Sequence, residues 1–326
     1  MPHRPPGDVN RAAHSATGAS GGPDNRLLAM LLDQLAVEPG HRIREVGPGH
    51  LADQLAVLAG QTGTVVYGTG GWRADALAPY DRIVVTRPRW DLAPAWTRQL
   101  SDHGRLVVAL RLRGGTHCVV FTGWRCLYSV TIRLCTPTPH NQLPHRGERR
   151  QVLDIPGERP VLTWDQDQTI NPSRLGRHLG HPPGVSLWTG VTIEDGEELG
   201  QLWLWLAARE PGACGLAGGT GTWLAPLANP DGTPTLVEET TFAYLTRREP
   251  PPGCPGNPRR FEIGIAAYGP YADTLSARFA NHVSLWRAAG NKHVGIAAYP
   301  LDGSPPLSYP PHISVIDRYR TRFVVG

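Results

Sequence analysis

The stretch "EVGPG" at residues 45–49 stands where a strand, "RIREV", turns into a helix, "HLADQLAVLAG". Glycine has no Cβ, so Gly47 and Gly49 can take positive φ and leave room for a ligand to approach the backbone. The first N–H groups of the following helix, which have no partner within it, face the same place. The same two glycines would equally serve a turn that only packs closely, and a Gly-x-Gly alone does not separate the two uses.

Other residue types that could do chemistry are less suggestively placed. His140, His145, His178 and His181 lie in stretches rich in Pro and Gly, with no acid or thiol at matching distance, and read as solvated loop histidines. The five cysteines, Cys118, Cys126, Cys135, Cys214 and Cys254, form no Cys-x-x-Cys and have no histidine at metal-ligand spacing. They read as reduced packing residues, and no metal site is expected.

The elements that must position the glycine turn follow from periodicity. Residues 1–24 are rich in Pro, Gly, Ser and Ala and read as a flexible arm. From Asn25, "NRLLAMLLDQLAV" puts Leu27, Leu31 and Leu35 on one helical face, and Pro39 and Gly40 stop it. "TVVYG" and "DRIVVT" read as strands, "APAWTRQLS" as a helix, "GRLVVALRLRG" as a strand and "THCVVFTGWRCLYSVTIRLC" as an antiparallel pair. Alternating strands and helices imply an α/β domain over residues 25–150, with a parallel sheet covered on both faces. Residues 151–326 read as a second, α+β domain with its own sheet. There "EELGQLWLWLAAREPG" is helical and "TPTLVEETTFAYLTRRE" is a hairpin. A following helix buries Leu275, Phe279, His282 and Trp286 on one face.

The chain of 326 residues is 40% hydrophobic and 18% charged with a formal net charge of +4, which suits two folded domains and is too mild for a nucleic-acid partner. No apolar run reaches the length of a membrane span, and residues 1–25 lack the apolar centre of a signal peptide. A cytoplasmic protein without a membrane partner is expected.

Together, "LLAMLLDQLAVEPGHRIREVGPG", "TVVYGTGG", "APYDRIVVT" and "QLSDHGRLVVALRLRG" resemble the class I methyltransferase domain of the protein-L-isoaspartate O-methyltransferases, which bind S-adenosylmethionine. "LWLWLAAREPGACGLA", "GTPTLVEETTFAYLTRR" and "RFEIGIAAYGPYADTLSARFANHVSLW" resemble the extra domain of the lanthipeptide-associated, FxLD-system branch. The resemblance implies methyl transfer to an Asp or isoAsp carboxylate of a ribosomally made peptide, giving aspartimide or isoaspartate. It also implies an Asp-containing peptide as partner, with a partner enzyme of the same pathway if the chain acts as a catalytically impaired subunit. On the matching positions, Glu45, Gly47 and Gly49 belong to the first cofactor motif and Thr69 stands where the family has the Asp that approaches adenine. Ser20, followed by Pro23, lies nearest to the hydroxyl residue over the transferring methyl.

The sequence departs from the family in the middle. Only about 19 residues separate Gly60 from Tyr80, against roughly 30 for a strand–helix–strand unit, so a class I sheet missing about one βα unit is expected. No Asp or Glu lies between Asp53 and Asp75 to hold the ribose hydroxyls, and Arg87, Pro88 and Arg89 replace small residues after "IVVT". Weakened or lost cofactor binding follows. Finally, "VIDRYRTRFVV" alternates as one closing strand, with Arg318, Arg320 and Arg322 on one face as a candidate surface for an acidic peptide or as the solvated side of an edge strand.

Overall fold

The computed structural model describes residues 25–69, 72–123, 127–135, 146–153, 159–175, 184–194, 197, 199–217, 232–248, 260–290, 294–301 and 313–326. In chain order they form α1 (Asn25–Leu35), β1 (Arg42–Val46), α2 (Ala52–Ala59), β2 (Thr64–Tyr67), α3 (Trp72–Ala76), β3 (Tyr80–Arg89), α4 (Pro94–Gln99) and β4 (Leu100–Leu112). There follow β5 (Gly115–Thr122), β6 (Leu127–Cys135), β7 (Glu148–Val152), β8 (Val161–Asp165), β9 (Val185–Glu194), α5 (Gly200–Ala207), β10 (Ala213–Ala217) and β11 (Thr233–Glu238). The last elements are β12 (Thr241–Arg248), β13 (Arg260–Tyr268), α6 (Ala272–Ala288), β14 (Ile296–Pro300), β15 (Ser314–Asp317) and β16 (Thr321–Val325). No helix among the described residues is long and apolar enough to cross a membrane.

Two mixed layers result. The first sheet has the order β15-β16-β14-β6-β5-β4-β3-β1-β2. Its β4, β3, β1 and β2 run parallel, and the remaining neighbours pair antiparallel. "DRIVVT" is apolar without alternation because both faces are covered. Val84, Val107 and Ala109 meet α1 and α2 on one side; Ile83, Val85, Leu106 and Val108 meet Trp96 of α4 and Leu204 of α5 on the other. Between Gly60 and Tyr80 lie β2, which is the edge of this sheet, and the five-residue α3.

The second sheet is antiparallel throughout, in the order β7-β8-β10-β11-β12-β13-β9. One face is covered by α6, which buries Leu275, Phe279, Val283 and Trp286. His282 sits at the margin of that face, where its Nε2 meets Glu210 Oε1 at 2.8 Å. Helix α5, "GQLWLWLA", is apolar all round because it lies between the two cores. Leu204 and Ala207 join the first; Leu202 and Leu206 join the second. Cys118 and Cys214 are free and buried, while Cys126 and Cys254 lie outside the described residues.

Two expectations need correction. Strands are not shared between the layers as a division at residue 150 requires. β7, from Glu148, belongs to the second sheet, whereas β14, β15 and β16 return to extend the first. Strand periodicity reports which face is buried but not which neighbour is paired. The closing segment, moreover, is a hairpin rather than one strand. Ser314 pairs with Val325 and Asp317 with Arg322, and the Arg318 N–H donates to the Thr321 carbonyl at 2.9 Å. The three arginines therefore share no face. Arg318 is buried, Arg320 is exposed in the turn, and Arg322 pairs with Asp317.

The layers are locked where three segments meet. The β4–β5 turn has Arg113 and Gly114 at φ 50° and 80°, the arrangement of a two-residue hairpin turn. A Cβ on Gly114 would lie 2.3 Å from the Thr163 carbonyl oxygen, so only glycine lets this turn press on the second sheet. Beside it, Arg318 meets Asp165 at 2.8 Å with both side chains fully buried, and the Arg113 N–H donates to the same carboxylate at 2.6 Å. Burial raises the affinity of Asp165 for a proton, but the guanidinium charges of Arg318, Arg113 and Arg111 override it and hold the carboxyl below the usual range. Nearby, His117 is wholly buried against Trp203, and burial above all pushes its imidazole down to about 3.

His117 predicts a pH dependence whose sign is fixed. Below its ordinary 6.5 the unfolded chain takes up a proton that the folded chain refuses until about 3, so stability falls with pH across that window by up to about 1.4 kcal/mol per unit. The contribution of Asp165 stays complete down to its ordinary 3.8 and is lost only below it. Replacing His117 by Leu is expected to flatten the upper part of this slope, as read by urea unfolding between pH ~7 and pH ~4. An unchanged slope would contradict a buried neutral imidazole.

Candidate functional site

β1 feeds β2 on one side, and the chain then returns to β3 on the other, so the strand order reverses between β1 and β3. Open parallel sheets bind ligands beyond the carboxyl ends of their strands at such a point. A cleft of about 570 Å3 lies there, bounded by Val46 from the end of β1, Thr69 after β2, and Arg87, Pro88, Arg89 and Trp90 from the end of β3. β3 opens the cleft by a bulge. Val85 pairs with Val108 but Arg89 pairs with Leu110, so β3 carries two extra residues. Pro88, which has no N–H to offer a ladder, fits within the bulge.

The glycine turn follows directly on Val46, which lines the cleft. A Cβ on Gly47 would lie 2.0 Å from Thr86 Oγ1, so this glycine serves close packing of β1 on β3. Gly49 has φ 90°, and a Cβ there would lie 2.9 Å from the ring of Tyr67 at the tip of β2. Helix α2 has no side-chain cap at Leu51. Glu45 supplies one from the strand: its Oε2 accepts the Leu51 N–H at 3.1 Å, and the N–H groups of Gly49 and His50 turn towards it. Burial raises the pKa of this carboxyl, and those backbone donors counter it in part. The helix terminus that the sequence offers to a ligand is thus partly capped from within the protein.

The far wall comes from distant segments. Trp90 stacks edge-on against Tyr319 at 5.3 Å, and the Arg318 guanidinium lies 4.2 Å from the Trp90 ring centre. The turn carrying Tyr319 and Arg320 is pinned by Asp91, whose Oδ2 accepts the Arg320 N–H at 3.0 Å while its Oδ1 accepts that of Leu92. Arg146 reaches the Tyr319 ring at 6.0 Å, and Arg89 reaches that of Trp96 at the same distance. Burial, and secondarily the charge of Arg87, hold the Arg89 guanidinium below its usual pKa.

Of the residues singled out from sequence, Val46's neighbours Glu45 and Gly47 lie buried beneath the cleft, Gly49 is half-buried in the turn, and Thr69 is exposed at the rim. Ser20 and Pro23 lie outside the described residues, as do His140, His145, His178 and His181. Tyr67, Trp90, Trp96, Arg146 and Tyr319 also shape the site, although no motif in the sequence marks them. Tyr67 and Trp90 stand next to motif residues and carried a local signal; Arg146 and Tyr319 reach the site only through the fold.

The glycine turn and the parallel strands belong to a chain distantly homologous to protein-L-isoaspartate O-methyltransferases. It is similar to protein-L-isoaspartate O-methyltransferase 1 of Cupriavidus necator, with 29% identity over 108 residues, covering 25% of this chain and 42% of that protein. The chain therefore spans less than half the length of the curated relative it matches. Among solved structures it is similar to a protein-L-isoaspartate O-methyltransferase at 13% identity and TM-score 0.35, over 87% of this chain and 81% of the other. A second is a putative protein-L-isoaspartate O-methyltransferase from Plasmodium falciparum in complex with S-adenosyl-L-homocysteine, at 15% identity and TM-score 0.26, over 34% and 71%. No family model matches the chain.

The contact between Gly47 and Thr86 predicts a coupled pair. Gly47→Ala is expected to destabilise by about 1–3 kcal/mol through overpacking, and Thr86→Ala, which deletes the opposing hydroxyl, is expected to restore most of that loss. A double-mutant cycle in urea measures it; strictly additive effects would show that the methyl is accommodated elsewhere.

Proposed function

We propose that the chain is a member of the isoaspartate methyltransferase class in which cofactor binding is weakened or lost, acting as a peptide-binding subunit beside an active enzyme of lanthipeptide maturation. The observation that carries this reading is the occupied glycine turn: the Glu45 carboxylate accepts the Leu51 N–H and the Tyr67 ring lies on Gly49. Three further features agree with it. The tip of β2 is Tyr67-Gly68-Thr69, without a carboxylate for ribose hydroxyls. Asp91, the acid in the cleft lining, is engaged by two backbone N–H groups. Arg87 and Arg89 bring like charge to a place where a sulfonium would sit. These residues do not fit S-adenosylmethionine. The short interval between Gly60 and Tyr80, with one strand before β3, is in keeping with a scaffold that lacks about one βα unit. The setting in ribosomal peptide maturation rests on the sequence resemblance of the second half.

A second reading keeps the chain as an S-adenosylmethionine-dependent carboxyl O-methyltransferase that converts an Asp or isoAsp of the peptide to aspartimide or isoaspartate. It is favoured by the 108-residue match and by Gly49, which retains the positive φ of a ligand-approach turn. Calorimetric titration with S-adenosylmethionine and S-adenosylhomocysteine separates the two. Dissociation constants weaker than about 100 μM are expected; low-micromolar binding of either would overturn the first reading in favour of the second.

A further inference from the structure

The cleft gathers four arginines, and the acid in its lining, Asp91, is engaged by backbone N–H groups. Arg87 and Arg89 enter from β3, Arg146 from the segment before β7, and Arg320 from the β15–β16 turn. Several guanidinium groups elsewhere are answered by carboxylates: Arg318 by Asp165, Arg111 by Glu148, Arg287 by Glu197, Arg278 by Glu210 and Arg322 by Asp317. Among the described residues no carboxylate lies within ion-pair distance of the four cleft arginines, and the buried Nε of Arg89 has no hydrogen-bond partner. Between them lie the rings of Trp90, Trp96 and Tyr319.

Resting on the reading of the chain as a peptide-binding protein, we propose that this cleft binds an extended acidic peptide segment, gripping at least two separated carboxylates through Arg87, Arg89 and Arg320 and seating a ring side chain against Trp90 and Tyr319. Arginine matches a carboxylate in a two-toothed fork and stacks on aromatic faces. The alternative anion, a compact phosphate or nucleotide, ordinarily sits on free backbone N–H groups at a helix terminus. At the two helices nearest this cleft, part of that supply is already taken up. The Leu51 N–H ahead of α2 donates to Glu45 at 3.1 Å, and at α4 Pro94 has no N–H while the Trp96 N–H donates to the Ala93 carbonyl at 2.9 Å. The cleft's cations are side chains spread over three segments, which matches charge distributed along a chain rather than gathered on one group.

The test is calorimetric titration of the full chain with acetyl-Glu-Asp-Phe-Gly-Asp-Glu-amide, with its Gln/Asn counterpart, and with ATP. Arg87 and Arg320 are both exposed, so R87S/R320S leaves the core untouched, and circular dichroism confirms its fold. The acidic peptide is expected to bind at least tenfold more tightly than its neutral counterpart, to lose at least tenfold in R87S/R320S, and to weaken as salt rises. Separate replacement of Trp90-facing Tyr319 by Ser is expected to weaken the acidic peptide and not its Phe→Ala form. ATP binding more tightly than the acidic peptide would overturn the proposal in favour of a phosphate ligand. Equal binding of neutral and acidic peptides would overturn it while leaving peptide binding in place; no binding of any peptide would remove both.

Discussion

The structure hangs on one buried carboxylate. Asp165, at the end of β8, receives the Arg318 guanidinium and the Arg113 N–H, and so ties the second sheet to the β4–β5 turn and to the closing hairpin. Replacing such a buried pair by apolar residues is often neutral for stability, because the attraction between the ions is offset by their lost hydration. Its value here is positional. Arg318 can be held in only one place, and Tyr319 and Arg320, the next two residues, form part of the cleft wall as a result. Asp91 then fixes the turn from the other side.

A cleft built in this way has walls of different origin. The floor and one side, Val46 and Arg87 to Trp90, come from neighbouring strands within fifty residues of each other, whereas Arg146 and Tyr319 arrive from the start of the second sheet and from the far end of the chain. Within the first group the geometry follows from local rules: a strand end, a bulge, a proline that needs no partner. For the second it depends on the docking of two sheets across α5, whose leucines serve both cores.

The same distinction explains what could be read from sequence. "DRIVVT" announces a strand buried on both faces, and the spacing of Leu275, Phe279 and Trp286 announces a helix on a sheet, because each pattern expresses a local period against a single environment. "VIDRYRTRFVV" alternates as faithfully as any strand and contains neither Gly nor Asn, yet it bends at Arg318 because its partner lies 153 residues away. The glycine turn was visible as a place for close approach, but what approaches it, the hydroxyl of Thr86 and the ring of Tyr67, belongs to neighbouring strands. Likewise, nothing in the period of β14 to β16 shows that they extend the first sheet rather than the second.

That return of β14 to β6 sets an order on the making of the molecule. A chain synthesised from its N-terminus completes β6 at Cys135, but the strand that pairs with its outer edge begins only at Ile296. For some 160 residues of synthesis, on the order of ten to thirty seconds at ordinary ribosomal speed, the nascent first sheet carries an open edge beside apolar Leu127 and Ile132. All the strands of the second sheet, from Glu148 to Tyr268, are made in that interval. Open edges of this kind pair readily with other chains, so until Ile296 is made the outer edge of β6 is a place where the growing chain is open to mispairing.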